Sequence, residues 1–393
     1  MIDLHRLQGG IKNYLGDFTV FRKSLEQLSH SDFKELLSGR KCLLYGANGY
    51  TGTLVARKAH ALGLSPILAG RQEQFIMPLA TELGCSYRIF NILNGDEANE
   101  QLNDIDVLIN CAGPFPPNTT TLLESCLANA VHYLDINGDL TTLVNVQRFH
   151  SQAQKTGIVL CPGVGFDVIP TDCIAATLKH ALPDATSLSL GFEVHGKLSP
   201  GSVKALYNAV ANGCQIRQNG LLIPIPFGYH IRHIDTKQGK KVTTAIPWGD
   251  LASAFFSTQI ANIECLYPVN ATHLTWLKRL RWFRGLLKLP WLKKLAYLYI
   301  SSRFQIPNHI ERQQSVTYFW GEVKNASGMI KRASLEAADG YDLTVAGVLL
   351  ALQFLLNYAG EGGYFTPSQL MGRNCVESLP NTSNIRITTQ SPS

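Results

Sequence analysis

Several catalytic signatures are missing from this 393-residue chain, and each absence removes a class of function. No tyrosine of the fourteen is followed four positions later by lysine, so the Tyr–Lys proton relay of short-chain dehydrogenases is absent. There is no H-E-x-x-H for a zinc hydrolase and no G-x-S-x-G for a serine hydrolase. The nine cysteines (Cys42, Cys85, Cys111, Cys126, Cys161, Cys173, Cys214, Cys265 and Cys375) form no C-x-x-C and no paired spacing. They read as reduced core thiols in a reducing, cytoplasmic compartment rather than a disulfide framework or a metal site. The N-terminus lacks a basic-then-apolar signal, and no apolar run is long enough to span a bilayer. The net charge of +6 is too mild for a nucleic-acid partner. A soluble chain is expected, one that can still touch a membrane at its periphery.

What is present is a rhythm. From Lys41 short apolar runs, "CLLY", "PILAG", "YRIFNI", "DVLINCAG", "HYLDI" and "IVLCPG", alternate with helical stretches, among them "TTTLLESCLANA" and "LVNVQRFHSQAQ". Runs too short for helices, separated by helices, predict βαβ units and a buried parallel sheet. Past Pro183 the pattern becomes period-two, in "SLSLGFEV", "YHIRHIDT", "KKVTTAI", "SVTYFWGEVKN" and "MIKRASLEAAD", which predicts an antiparallel second sheet. A long helix, "LTVAGVLLALQFLLNYAG", follows, and the polar tail "NTSNIRITTQSPS" is expected to be loose. "SHSDFKELL" in the leader reads as a helix start. The expected organisation is a leader 1–40, a nucleotide-binding domain 41–185, an α+β domain 186–340 for substrate or oligomerisation, and a C-terminal part 341–393 whose helix returns to the first domain.

"YGANGYTG" sets Gly46, Gly49 and Gly52 at the junction of the first strand and first helix. The first glycine permits a sharp exit, the second a close approach of backbone to pyrophosphate, the third tight packing of the helix. The helix N-terminus would face the phosphates. Gly46, Ala47, Asn48, Gly49, Tyr50, Thr51 and Gly52 are therefore the expected cofactor loop. The second strand ends in Gly70-Arg71 where an NAD site places Asp or Glu, so Arg71 favours the 2′-phosphate of NADP(H) over NAD(H). "NCAGPF" opens a loop at the fourth strand's end, giving Asn110, Cys111, Ala112, Gly113 and Pro114 as candidates on the nicotinamide side. In "CPGVGFDVIPTD", Asp167 is a weak catalytic candidate, and Asp172 reads better as a cap for the helix that follows. Cys111 is a second weak candidate, as a nucleophile, although a packed thiol is the commoner reading. "HIRH", with two strand histidines on opposite faces, reads as solvated side chains, and no metal site is expected.

In their order along the chain, "YGANGYTG", "LAGR", "NCAGPF", "HYLDINGD" and "PGVGFDVIPTD" resemble the saccharopine dehydrogenase-like oxidoreductases, and within them the trans-acting enoyl reductase branch. The likeness continues at "IERQQSVTYFWGEV" and "ADGYDLTVAG". It implies an α/β fold: a Rossmann doubly wound parallel sheet with an inserted α+β, mostly antiparallel second domain. It also implies an NADPH-dependent oxidoreductase, with no catalytic residue carried over. A saccharopine site needs convergent cations, yet Cys161 to Ala211 offers only Lys179, Lys197 and Lys204 besides two histidines, unless Arg217 or Arg232 reaches in. An acyl or lipid-like substrate with an activated C=C or C=N bond is the expectation. A catalytically silent NADP-binding protein acting at lipid surfaces is the alternative.

That alternative draws on "WLKRLRWFRGLLKLPWLKKLAYLYI", Trp276 to Ile300, which carries seven Lys and Arg, three Trp and no acid. Such a stretch suits an anionic membrane surface, an acidic acyl carrier, or simple packing on the core or on a second subunit of a homodimer.

Overall fold

The computed structural model describes residues 39–113, 119–197, 199–228, 230–236, 239–280, 284–305 and 307–390. The leader helix and Pro114 lie outside these residues, as does part of the basic stretch.

Strands β1 (Cys42–Tyr45), β2 (Ile67–Gly70), β3 (Tyr87–Ile89), β4 (Val107–Asn110), β5 (His132–Asp135), β6 (Val159–Cys161) and β15 (Gly363–Tyr364) form one sheet in the order β15-β6-β5-β4-β1-β2-β3. Every pair in it is parallel. The strands are short because both faces are covered: all four residues of β1 and of β4 are buried. The connecting helices are α1 (Tyr50–Ala61), α2 (Glu73–Leu83), α3 (Gly95–Leu102), α4 (Thr119–Ala128), α5 (Leu140–Gln147) and α6 (His150–Thr156). The single helix expected over "LVNVQRFHSQAQ" is two. Arg148 and Phe149 turn the chain between them, and Val146 and Ala153 both reach the core. Strand order reverses between β1 and β4, so the carboxyl ends of those two strands open a crevice.

After α7 (Ile169–Ala181) comes the second sheet. It holds β7 (Ala185–His195), β8 (Cys214–Gln218), β9 (Leu221–Ile225), β10 (Ile231–Thr236), β11 (Gly239–Ala245), β12 (Asn262–Pro268), β13 (Val316–Asn325), β14 (Ile330–Ala337) and β16 (Arg386–Gln390). Its pairs are antiparallel except β7 with β12. The tail expected to be loose supplies β16: Arg386–Gln390 pairs along β14, anchored by the Ile385 amide on Glu377 Oε1 at 2.9 Å. Its run of β-branched residues, Ile387, Thr388 and Thr389, suits a strand.

Five helices are inserted in the chain between strands of this sheet, α8 (Pro200–Asn212), α9 (Asp250–Thr258), α10 (Ala271–Leu280), α11 (Pro290–Arg303) and α12 (His309–Gln313), and α13 (Gly340–Leu356) and α14 (Pro367–Met371) precede β16. Helix α7 lies on the inner face formed by β7, β13 and β14. It sits close because a Cβ on Gly321 would meet Leu178 Cδ1 at 2.9 Å. Helix α13 packs on α1 and β5. One continuous core therefore runs from Leu44, Val55 and Ile109 of the first sheet to Leu190, Phe319 and Leu335 of the second. Asp172 does not cap its own helix, which begins at Ile169. It is buried in the first turn and accepts the Ser368 amide at 2.7 Å, tying α7 to the start of α14.

Candidate cofactor and active site

Between β1 and α1 the backbone folds back on itself. The amides of Gly46 and Ala47 donate to Ala69 O at 2.8 and 3.2 Å, and the Gly49 amide donates to Gly46 O at 3.0 Å. Gly46 has φ +79°, and a Cβ there would lie 2.7 Å from the Ala112 amide, so this loop and the β4 loop touch at the switch point. At Gly52 a Cβ would run into the Gly46 carbonyl. Helix α1 has no side-chain cap and no acidic residue in its first turn. Its amides thus present an uncompensated positive end to the crevice, the electrostatics an anion requires. Arg71 is exposed beside this loop, immediately after β2, where the Asn48 side chain packs near Gly70.

At the end of β4, Asn110 is buried and turned inward. Its Oδ1 accepts the Ala112 amide at 3.0 Å and its Nδ2 donates to Tyr133 Oη at 3.3 Å. Tyr133 in turn donates to Asp135 Oδ2 at 2.8 Å, and Asp135 Oδ1 accepts the amides of Asn137 and Gly163, both at 2.9 Å. Burial pushes the Asp135 pKa up to about 6, against those hydrogen bonds. This relay fastens the ends of β4, β5 and β6 into one rim. Asn110 therefore orders the rim rather than offering a free amide, and Asn137 Nδ2 is buried there with no hydrogen-bond partner among the described residues. Cys111 is buried too. Desolvation first, then the charge of Asp135, drives its thiol far above the ordinary value, so it is a packed thiol and a poor nucleophile.

Asp167 behaves differently. Its side chain lies against Gly138, beyond β5, and desolvation pushes its pKa up to about 7. Beside it Trp248 donates its indole N–H to the Asp167 carbonyl at 2.9 Å. From Trp248 an aromatic wall extends over the inner face of the second sheet. Phe192 lies 4.8 Å from Trp248, 5.4 Å from Tyr267 and 5.8 Å from Phe166, ring centre to ring centre. Neither arginine expected as an entrant arrives. Arg217 donates to the carbonyls of Leu251 and Gly220 and stacks 4.1 Å from the Phe255 ring, while Arg232 pairs with Glu264 and Glu322 on the opposite face. His230 forms an ion pair with Glu264 rather than standing solvated. No cluster of His, Cys, Asp or Glu able to hold a metal occurs among the described residues.

Arg312, which no local pattern marked, does arrive. It is buried on α12 and donates to Tyr50 Oη at 2.8 Å, with Asp342 3.8 Å away and Nε unpartnered among the described residues. Tyr50 stacks edge-on against Tyr341 at 4.8 Å. The second lobe thus closes directly on the first turn of the glycine-loop helix. A contact spanning 262 residues leaves no local trace in a sequence.

Residues 42–161 match the family model of the saccharopine dehydrogenase NADP binding domain. A Mycobacterium tuberculosis protein provisionally named a trans-acting enoyl reductase is 31% identical over 147 residues, 35% of this chain and 35% of its own length. Residues 42–161 thus resemble the NADP-binding domain of the saccharopine dehydrogenase-like oxidoreductases. A human member of that name is 25% identical over 152 residues, 33% of this chain and 35% of its own. A Caenorhabditis elegans lipid droplet localized protein is 27% identical over 151 residues, 35% of each. These matches take in about a third of each relative's length. Apo saccharopine dehydrogenase of Saccharomyces cerevisiae covers 90% of this chain and all of its own at a TM-score of 0.64, with 13% identity, which establishes the shared fold.

The cofactor of this domain is NADP(H), and the residues fit it. The loop has no room for side chains at Gly46 and Gly52, the helix end has no acid, and an exposed arginine replaces the acidic residue at the end of β2. Residues 46–52 would hold the pyrophosphate. The orphaned Asn137 amide and the rim of Cys111, Ala112 and Gly113 would border the nicotinamide. Once bound, the nicotinamide supplies or accepts a hydride.

Proposed function

We propose that the chain is an NADPH-dependent reductase of an activated C=C or C=N bond in an apolar, acyl-type substrate. Asp167 is its proton donor and Arg71 the reader of the 2′-phosphate. The carrying observation is the pairing of Asp167, whose pKa of about 7 keeps a proton available near neutrality, with the aromatic wall of Trp248, Phe192, Tyr267 and Phe166. The wall gives an acyl chain contact area and excludes water. The protein's part is to orient the substrate and hold the proton at Asp167 Oδ. A substrate with several carboxylates is disfavoured, because among the described residues Arg312 is the cation that the second lobe brings to the crevice edge, and it is engaged by Tyr50 and Asp342. The name of the mycobacterial relative supports enoyl reduction, and that of the nematode relative supports a lipid setting.

The test is NADPH consumption with crotonyl and longer unsaturated thioesters and with imines. Asp167→Asn should keep NADPH affinity and lower turnover about 100-fold or more. The wild-type rate should decline as pH rises through about 7, where Asp167 loses its proton. Unchanged turnover in the variant removes Asp167 from the chemistry. Tight NADPH binding with no consumption by any substrate class leaves the catalytically silent reading.

A further inference from the structure

We propose that α10, the 3-10 turn Arg284–Lys288 and α11 form a docking surface for an anionic lipid bilayer, a role that does not depend on which bond the active site reduces. Helix α11 carries two apolar stripes. Leu292, Ala296 and Ile300, spaced by four, turn toward the body of the protein. There Tyr297 donates to Asn208 Oδ1 at 3.0 Å and packs 6.0 Å from Tyr207, whose hydroxyl donates to Leu287 O at 2.8 Å. The second stripe, Trp291, Leu295, Leu298 and Tyr299, recurs at i, i+4, i+7 and i+8 and faces out, with 61%, 55%, 60% and 65% of each residue exposed. Trp276 on α10 is 64% exposed, and Leu286 and Leu289 between the helices are exposed as well.

A globular surface rarely leaves so many large apolar side chains in water along one helix. The charges say what would cover them. Between Glu264 and Glu311 the sequence holds eight Lys and Arg and no acidic residue. Lys278, Arg279, Lys288, Lys293, Lys294 and Arg303 are exposed, and none is in an ion pair among the described residues. Exposed Trp and Leu flanked by cations without acidic partners among the described residues match the two layers of a bilayer surface: rings and aliphatic chains at the acyl boundary, cations at anionic headgroups. A second copy of the chain is a poorer partner, because an isologous interface would set this cationic surface against itself. An acidic carrier would satisfy the charges without needing the outward stripe.

Vesicle flotation of the full chain tests this, with phosphatidylcholine alone and with phosphatidylcholine mixed with phosphatidylserine. The wild type should float with the anionic vesicles and at least about tenfold less with the neutral ones, and high salt should release it. Lys293→Glu/Lys294→Glu and Trp291→Ala/Leu295→Ser should each weaken anionic binding about tenfold or more while the NADPH Kd stays unchanged, which also shows that both variants fold. The proposal is overturned if the wild type ignores anionic vesicles, or if both variants float as it does. It is also overturned if these substitutions instead break a self-associated species, seen by sedimentation velocity, or abolish capture of an acidic carrier protein, in a chain that binds no vesicle.

Discussion

Arg71 is the single side chain on which we propose that the cofactor choice turns. It stands exposed at the end of β2, beside the crevice, with the glycine loop hydrogen-bonded to Ala69 two residues before it. A charge-assisted contact to phosphate is worth about 1.5–3 kcal/mol. Arg71→Ala should therefore weaken NADPH about 10- to 100-fold and leave NADH nearly unchanged, and Arg71→Glu should reverse the preference. Parallel fluorescence titrations of both nucleotides check this, and equal losses for the two would assign Arg71 to folding instead. Arg312 complements it from the other lobe. The guanidinium keeps one donor unpartnered among the described residues, next to the helix end proposed to hold phosphate, and it fixes Tyr50 while doing so. Arg312→Lys keeps the charge but not the planar fork, so it should raise the NADPH Kd several-fold where a mere charge effect would not.

At the scale of elements, the glycine loop separates packing from conformation. A Cβ at Gly52 collides with the Gly46 carbonyl, whereas Gly84, at φ +61°, has nothing within 4 Å of its Cβ position. Gly52→Ala should therefore cost about 1–3 kcal/mol and abolish nucleotide binding, since helix α1 must back away from the loop. Gly84→Ala should cost about 1 kcal/mol of backbone strain and leave binding intact. Denaturant melts with NADPH titrations separate the two, and equal binding in both variants would mean the loop tolerates movement. This loop was legible in the sequence because strand, turn and helix are neighbours in the chain, and the alternating sheet of the second lobe was legible for the same reason. What escaped is what folding brings from afar. The Asn110–Tyr133–Asp135 relay joins three strand ends, the aromatic wall draws on four separated segments, and β16 becomes a strand only because β14 offers it an edge. Asp172 illustrates the same limit: next to a helix start it reads as a cap, yet its partner, Ser368, lies 196 residues away.

The two lobes share one core, and along their junction lie carboxyl groups that burial holds above their ordinary range. Asp135 is raised to about 6, Asp167 to about 7, and Asp172 and Asp250 are raised as well, the last also by the charges of Asp172 and Asp167. None of the four is in an ion pair with a cation among the described residues. The folded chain therefore keeps protons that the unfolded chain, with Asp near 3.9, releases. Their contribution is most favourable below about pH 4 and is lost as pH rises through 6 and 7. Asp104, held low by Arg88 and Lys41, acts in the opposite sense: its contribution is present above the unfolded pKa and lost as pH falls below it. Glu264 does the same, since hydrogen bonds from His230 and Ser189 and the charge of Arg232 outweigh its desolvation. The two sets leave a stability maximum near about pH 4, above which the buried carboxyls set the slope and stability declines through neutral pH. Asp135 and Asp167 should each account for roughly 1–3 kcal/mol of that decline, a shift of several degrees in Tm, and Asp172 and Asp250 act in the same direction. Asp250→Asn, which keeps the shape while removing the titration, should flatten the alkaline limb and leave the acidic limb in place. A Tm that stays level from pH 5.5 to 8.5 in the wild type would mean that these carboxyls are reached by water, and would remove the basis for a proton held on Asp167 at neutrality.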